Sequence, residues 1–498
     1  MARIKKVPEK KRSYFSYLYW LLPVLLLIPQ ILFTFNSMNQ IRYEELAESV
    51  RNVFWLQNGL VYDGVSSNIG WYGTSLIIYH LFGFSLFTAK IFRLILQLVS
   101  LFALAKLLSM YLGKRFSLLP LATIALSPTL LYFTTLEASF GIDLQMLPIC
   151  LLLLLTLDLK KRIHFYVQLI LFWMLVMITW MSYPTFIFYL PVFMILFIWV
   201  LHNTLQGKKK DQKLTYFLSI ANISLVAFIT PLILGVLFVQ NRNILLIDPV
   251  SGSGIFRGGG SLALNQTHFA ANFFSIMQDF FVSGKSYNFE LFKADFSDIY
   301  PLVALGLIVG ISIFLLIKMT SYRLQLFIIV GTIIVTYIVG SITSDPTNLF
   351  GMRRNTPIVA SIYALFVLTW HFTTRTKRLS KLVKNSIYGI FTLLLLHNIF
   401  VFPINFSHLK DISIYDYQLI PGKSPTEALS ILVKQTEKSG LDLTCKKNDC
   451  RYQETYAAVA GDCLWNKLSC HPIYGYDYRS GTNLLLSPEV WNIYNLSH

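Results

Sequence analysis

Charge is scarce in this sequence. Only 13% of the 498 residues are Asp, Glu, Lys or Arg, against about 25% in a soluble domain. So few charges cannot cover a water-exposed surface, which excludes an ordinary soluble fold and points to an integral membrane protein. Acid is scarcer still: 25 Asp and Glu stand against 42 Lys and Arg, for a net charge of +17. That excess does not imply nucleic acid, because the basic residues sit in short clusters between apolar runs and so set membrane topology. Charge is nearly absent from the middle of those runs, which excludes the midplane site of a secondary transporter. Cysteine is rare, with five in the chain, and no pair has the two-residue spacing of a zinc knuckle. No internal repeat of fixed period is present. The glycines at Gly252, Gly254 and Gly258-Gly259-Gly260 lack a strand before them and a helix after them, so no nucleotide-binding loop is read there.

What the sequence has is long apolar runs. Crossing a bilayer takes about 20 such residues, and the chain supplies about eleven candidate stretches. The first, near 15–35, follows Lys5, Lys6, Lys10, Lys11 and Arg12. These fix the N-terminus on the cytoplasmic side, and no cleavable signal peptide is evident. The others are expected near 91–111, 117–135, 142–158, two within 163–202, then 214–239, 300–317, 324–341, 356–372 and 386–402. Nearly every basic cluster then falls inside, and Arg353-Arg354 falls outside. The expected fold is an all-α polytopic membrane protein with outer-face juxtamembrane helices.

The outer loop 36–90 holds Glu44, Glu45, Glu48 and Asp63. Leu46, Val50, Val53 and Phe54 recur at helical spacing, which predicts a short amphipathic helix lying in the membrane interface. Glu44 or Glu45 would then serve as a general base for an acceptor hydroxyl, or would form a solvated helix face. Asp63, before Gly64, is a substrate or metal ligand or a turn residue. Glu137 and Asp143 flank the outer turn between the third and fourth spans, where ionisable groups usually have a role or a partner. Arg353 and Arg354 suit a phosphate, since guanidinium offers a planar fork of donors and keeps its charge. Lys90 and Arg93 carry the same two readings, phosphate ligand or headgroup anchor. All these residues converge on the outer face, as an enzyme acting on a lipid-borne phosphate would require.

Residues 403–498 contain no span and are expected to form a small exported domain. Cys445, Cys450, Cys463 and Cys470 lie there and favour two disulfides, with three connectivities open; a zinc site with His471 is the rival. Cys150 falls inside the fourth span and reads as packing.

These residues, in this order, resemble the GT-C superfamily of polyprenyl-phosphate-sugar-dependent glycosyltransferases. The nearest branch is that of bacterial protein mannosyltransferases, aminoarabinose transferases and Rgt-like lipopolysaccharide transferases. Glu44-Glu45 stands where that family has an acidic pair after the first span, usually opened by aspartate. Gly59 to Asp63 matches its Gly-x-x-Tyr-Asp-like stretch. Phe82-Gly83-Phe84-Ser85 with Arg93 matches a Phe-Gly-x-Ser … Arg run, and Ser127-Pro128 matches a Ser-Pro at the outer end of span three. Arg353 or Arg354, ahead of Pro357, matches an outer arginine before a proline-started span. The resemblance covers about residues 10–375.

The resemblance implies an inverting transfer from an isoprenoid-phosphate-linked sugar donor to a hydroxyl of a protein, glycan or lipid acceptor at the outer face of the cell membrane. Glu44 or Glu45 would be the base, and Arg353 and Arg354 would hold the departing lipid phosphate. Some relatives use a divalent metal and others none, and the carboxylates here suit either course. The competing class is non-catalytic: a lipid-linked-sugar flippase or a cell-envelope polymer assembly protein.

Overall fold

The computed structural model describes residues 14–37, 69–83, 86–127, 130–131, 139, 141–159, 162–206, 210–238, 310, 313, 323–343, 356–376 and 379–411. Every regular element among them is helical. In chain order these are α1 (Tyr14–Ser37), α2 (Ile69–Phe82), α3 (Leu86–Leu112), α4 (Leu118–Ala125), α5 (Ile142–Leu155) and α6 (Arg162–Ser182). A 3-10 turn (Pro184–Tyr189) then leads into α7 (Leu190–Leu205), α8 (Lys210–Phe238), α9 (Arg323–Thr343), α10 (Thr356–Arg375) and α11 (Lys381–Asp411).

Among the described residues six stretches are long and apolar enough to cross a membrane: Lys90–Leu112, Ile163–Ser182, Thr185–Leu205, Gln212–Gly235, Thr356–Arg375 and Lys381–Phe400. The 27 residues of α3 measure about 40 Å at 1.5 Å per residue, more than the roughly 30 Å hydrocarbon core. Large apolar side chains face outward along these helices. Val226 is 65% exposed and Phe400 70%, a surface that suits lipid and would be costly in water. Prolines occur inside α1 (Pro23, Pro29), α5 (Pro148), α8 (Pro231) and α11 (Pro403), which neighbouring helices make tolerable in a membrane. The chain is a multi-pass α-helical membrane protein.

Among the described residues two apolar cores hold the bundle. The first joins α1, α3, α4, α9, α10 and α11 through Tyr19, Leu101, Leu121, Leu326, Trp370 and Phe391. The second joins α5 to α8 through Leu154, Phe165, Phe172, Phe193, Phe197 and Ile220. Its aromatic rings meet edge to face: Phe172–Phe193 at 5.6 Å and Trp173–Phe197 at 5.3 Å, the arrangement that the ring quadrupole favours.

Cross-links between helix ends fix which ends lie together. Trp370 Nε1 donates to the carbonyl of Phe116 at 2.5 Å, and its ring packs on Tyr388 and Phe391. The C-terminal ends of α3 and α10 and the first half of α11 therefore share one end of the bundle. Gln168 Nε2 donates to Thr156 Oγ1 at 3.0 Å, bringing the end of α5 to the start of α6. The N-terminal ends of α3, α5 and α10 gather at the opposite end.

The sequence reading left 69–82 inside an outer loop. It is instead a helix whose Trp71, Tyr72, Leu76 and Tyr79 are buried. Gly70 admits it: a Cβ there would stand 2.5 Å from the carbonyl oxygen of Ile178 and 2.8 Å from the backbone nitrogen of Ser182. Neither backbone atom can swing aside. Gly70→Ala is expected to lower stability by about 1–3 kcal/mol through overpacking, with Gly73→Ala, which meets nothing within 4 Å, as the tolerated control. Heat or SDS unfolding of the two variants in detergent checks this, and equal loss in both would count against the close approach.

Candidate functional site

Helix α3 opens with a polar stripe on a largely apolar span. Lys90, Arg93 and Gln97 are spaced by three and four residues, which places them on one face. All three are fully buried. Charges in a membrane interior require partners, and the neighbouring elements supply polar and aromatic ones.

Helix α5 contributes Asp143 and Gln145, both at 0% exposure. It starts from Gly141 at φ +70°, a left-handed conformation in which glycine carries no Cβ penalty. Gln145 Nε2 donates to Gln97 Oε1 at 3.0 Å and approaches the carbonyl of Arg93 at 3.4 Å, so the two glutamines tie α5 to α3. Asp143 and Arg93 attract each other between the same helices. Thr356, the first residue of α10, donates its hydroxyl to Asp143 Oδ2. From α2, the Trp71 ring lies 5.2 Å from the Arg93 guanidinium carbon, a cation–π contact that gains strength when desolvated. Tyr189, closing the 3-10 turn, is near enough to feel the charge of Asp143.

Some hydrogen-bonding capacity in this cluster is unused. Asp143 Oδ1, Gln97 Nε2 and Gln145 Oε1 are buried and have no hydrogen-bond partner among the described residues. Buried polar atoms are normally paired, so two acceptors and a donor here suit a polar ligand. Close by in sequence to the α4 end, Ser127 Oγ accepts from the Leu130 N–H at 3.1 Å and shares a hydrogen bond with Tyr363.

The site also stands apart by position. Lys90 and Arg93 are at the bundle end formed by the starts of α3, α5 and α10. Lys114 and Arg115 follow the end of α3, Arg375 closes α10, and Lys381 opens α11. The cross-links above put those four at the other end. Two buried cations therefore sit opposite the solvent-directed basic clusters.

Of the acidic candidates, Asp143 is in this cluster. Arg93, which sequence alone read as phosphate ligand or headgroup anchor with a weaker case than Arg353 and Arg354, joins it, and buried Lys90 shares its helix face. Glu44, Glu45, Asp63, Glu137, Arg353 and Arg354 lie outside the described residues, as do Cys445, Cys450, Cys463 and Cys470. In the chain, Arg353 and Arg354 precede Thr356 by three and two residues. Cys150 is buried in the second core and serves as a small apolar side chain. Among the described residues no three of His, Cys, Asp or Glu stand together as a metal site.

Sequence reasoning missed Gln97, Gln145, Thr356 and Trp71. The first had a signal, since Lys90-x-x-Arg93-x-x-x-Gln97 is a polar face on a spanning helix. Thr356 before Pro357 has the form of a helix start but carries nothing that names Asp143 as its partner. Trp71 had no signal of its own. No protein-family model matches this chain, and no curated protein matches it.

Proposed function

We propose that this protein is a membrane glycosyltransferase that moves a sugar from an isoprenoid-phosphate donor to an acceptor hydroxyl at the outer face of the cell membrane, with inversion. In this reading the chain has about eleven spans in a GT-C-like arrangement, its N-terminus is cytoplasmic, and the segment after α11, which the sequence begins at 403 and the helix carries to Asp411, is exported. The observation that carries it is the buried cluster of Lys90, Arg93, Asp143 and Thr356 at the bundle end away from the basic clusters.

The chemistry follows from the residue types. The acceptor oxygen attacks the anomeric carbon on the face opposite the phosphate. The bond from that carbon to the phosphate oxygen breaks, and its electron pair leaves with the phosphate. Glu44 or Glu45 takes the acceptor proton. Negative charge on the leaving phosphate meets Lys90 and Arg93, whose charges are already fixed in a low-dielectric setting and need no reorganisation. Arg353 and Arg354, joined by a short piece of chain to Thr356, add to that positive field. Asp143 attracts Arg93, and its buried Oδ1 has no hydrogen-bond partner among the described residues to compete with a sugar or acceptor hydroxyl. A divalent metal held by the carboxylates is a variant of the same scheme, and the sugar-bearing isoprenoid would lie along the spans.

The test uses purified full-length protein in detergent with radiolabelled polyprenyl-phosphate sugars and a membrane or cell-wall acceptor extract. Lys90→Met, Glu44→Gln, Glu45→Gln and the Arg353→Ala/Arg354→Ala pair run beside wild type. Label is expected to move to a new product, and to stop doing so in one glutamate variant and in the cationic variants. Transfer indifferent to all of these would sink the assigned site. Donor that crosses a vesicle membrane without ever being transferred would favour a lipid-linked-sugar flippase.

A further inference from the structure

The opposite end of the bundle carries a second cationic arrangement, built on one tryptophan. Trp20 of α1 is held in place through its neighbour. Tyr19 donates its hydroxyl to the carbonyl of Ala105 at 2.7 Å and accepts from Ser117 Oγ at 2.8 Å, and its ring meets Trp20 edge to face at 5.3 Å. These bonds pin α1 to α3 and to the start of α4. Two ammonium groups then converge on the Trp20 ring: Lys106 Nζ at 6.0 Å and Lys114 Nζ at 5.7 Å from its centroid. The two charges are therefore less than 12 Å apart although their residues are eight positions apart in the chain.

Lys106 is the unusual member. It lies inside the apolar stretch Lys90–Leu112, six residues before the end of α3, or about 9 Å along the axis. It is exposed on the bundle surface, on a helix that otherwise turns Ile95 and Val99 outward. A lipid-facing cation at that depth needs an anion or an aromatic face. The indole supplies the face, and the bilayer supplies the anion. Exposed Tyr17, one turn before Trp20, and Arg115, just past Lys114, border the same place with an interfacial aromatic and a further charge.

We infer that Lys106, Lys114 and Trp20 form a binding site for the phosphate headgroup of an acidic phospholipid, between α1 and α3 at the basic end of the bundle. The lysines contact the phosphate and the indole ring supports the glycerol and upper acyl region, as basic pockets between membrane helices do for anionic headgroups. The site is at the far end from Asp143 and does not depend on the glycosyltransferase reading.

Native mass spectrometry of the full-length protein, released from detergent after titration with phosphatidylglycerol or phosphatidylcholine, tests this. Wild type is expected to retain one phosphatidylglycerol preferentially. Each lysine is worth about fivefold in affinity, so Lys106→Gln/Lys114→Gln should weaken retention by roughly 30-fold. Lys106→Arg, which keeps the charge and the fold, should retain it, and Lys213→Gln on another helix should not change it. Equal retention of the two lipids, undiminished binding in the double lysine variant, or an equal loss in Lys213→Gln would overturn the site. Displacement of the lipid by millimolar inorganic phosphate would show a free-phosphate site and overturn the lipid assignment.

Discussion

Asp143→Asn is expected to lower sugar transfer, per molecule of folded protein in detergent, by roughly 10² to 10³, the usual cost of losing one fixed electrostatic group at a reacting centre. The amide keeps the shape of the carboxylate and can still accept from Thr356. What it loses is the negative charge that draws the Arg93 guanidinium into position. A guanidinium displaced by even an ångström holds a leaving phosphate poorly, because orientation is much of what a fixed cation contributes. Thr356 gives the finer test. Thr356→Val removes the hydroxyl and keeps the branched shape, and is expected to reduce the rate about tenfold. Thr356→Ser restores the hydroxyl and should return to near the wild-type rate. Initial rates across a donor titration check this, and the loss should fall on kcat more than on KM. An Asp143→Asn rate within twofold of wild type would remove Asp143 from the mechanism. Failure of serine to rescue would remove the hydrogen bond from it.

Stability should respond most to Arg93. Its side chain is fully buried, with the Trp71 ring 5.2 Å from its guanidinium carbon and Asp143 near enough for the two charges to attract. Arg93→Ala strips a buried charge of its counter-charge and empties a large volume. Breaking such a pair from one side costs about 3–5 kcal/mol, to which the lost cation–π contact adds. Removing both charges is a different matter, since a well-packed apolar pair no longer has to be desolvated as ions. Arg93→Met with Asp143→Leu should recover most of that loss and stay inactive. Heat or SDS unfolding of both variants in detergent, run as a double-mutant cycle with Asp143→Leu alone, measures the coupling. An Arg93→Ala protein as stable as wild type, or a paired variant no better than the single, would show that the pair does not hold the bundle end together.

Stability and transfer meet in this cluster. Each apolar core closes around its own set of aromatic rings, and both reach the cluster: Leu94 of the first adjoins Arg93 in α3, and Tyr189 of the second feels the charge of Asp143. The cluster links those cores through α3 and α5, by way of Gln97 and Gln145. Its polar groups therefore help to set how the two halves of the bundle meet, and they do so at the end where the proposed donor binds.

What the sequence alone determined was the membrane character and the approximate positions of the six stretches long and apolar enough to cross a membrane among the described residues. Apolar runs of bilayer length and basic clusters between them report a solvent, and the solvent dictates helices because no water is present to satisfy the backbone. The two spans expected within 163–202 are found, parted at Ser182-Tyr183-Pro184 between α6 and the 3-10 turn, and the expected start near 356 coincides with α10. Both positions carry a proline at the helix entrance, a local signal that needs no knowledge of the fold. The polar cluster was legible only in pieces. Lys90, Arg93 and Asp143 each stood out as ionisable residues at span ends, but nothing in the chain order says that position 93 meets position 143, or that Thr356 bonds to a carboxylate 213 residues away. Helix 69–82 was hidden for a related reason, since its burial depends on Gly70 meeting the backbone of a helix more than a hundred residues later. Such pairings depend on how helices cross and which faces they present to one another, and only the tertiary structure decides them.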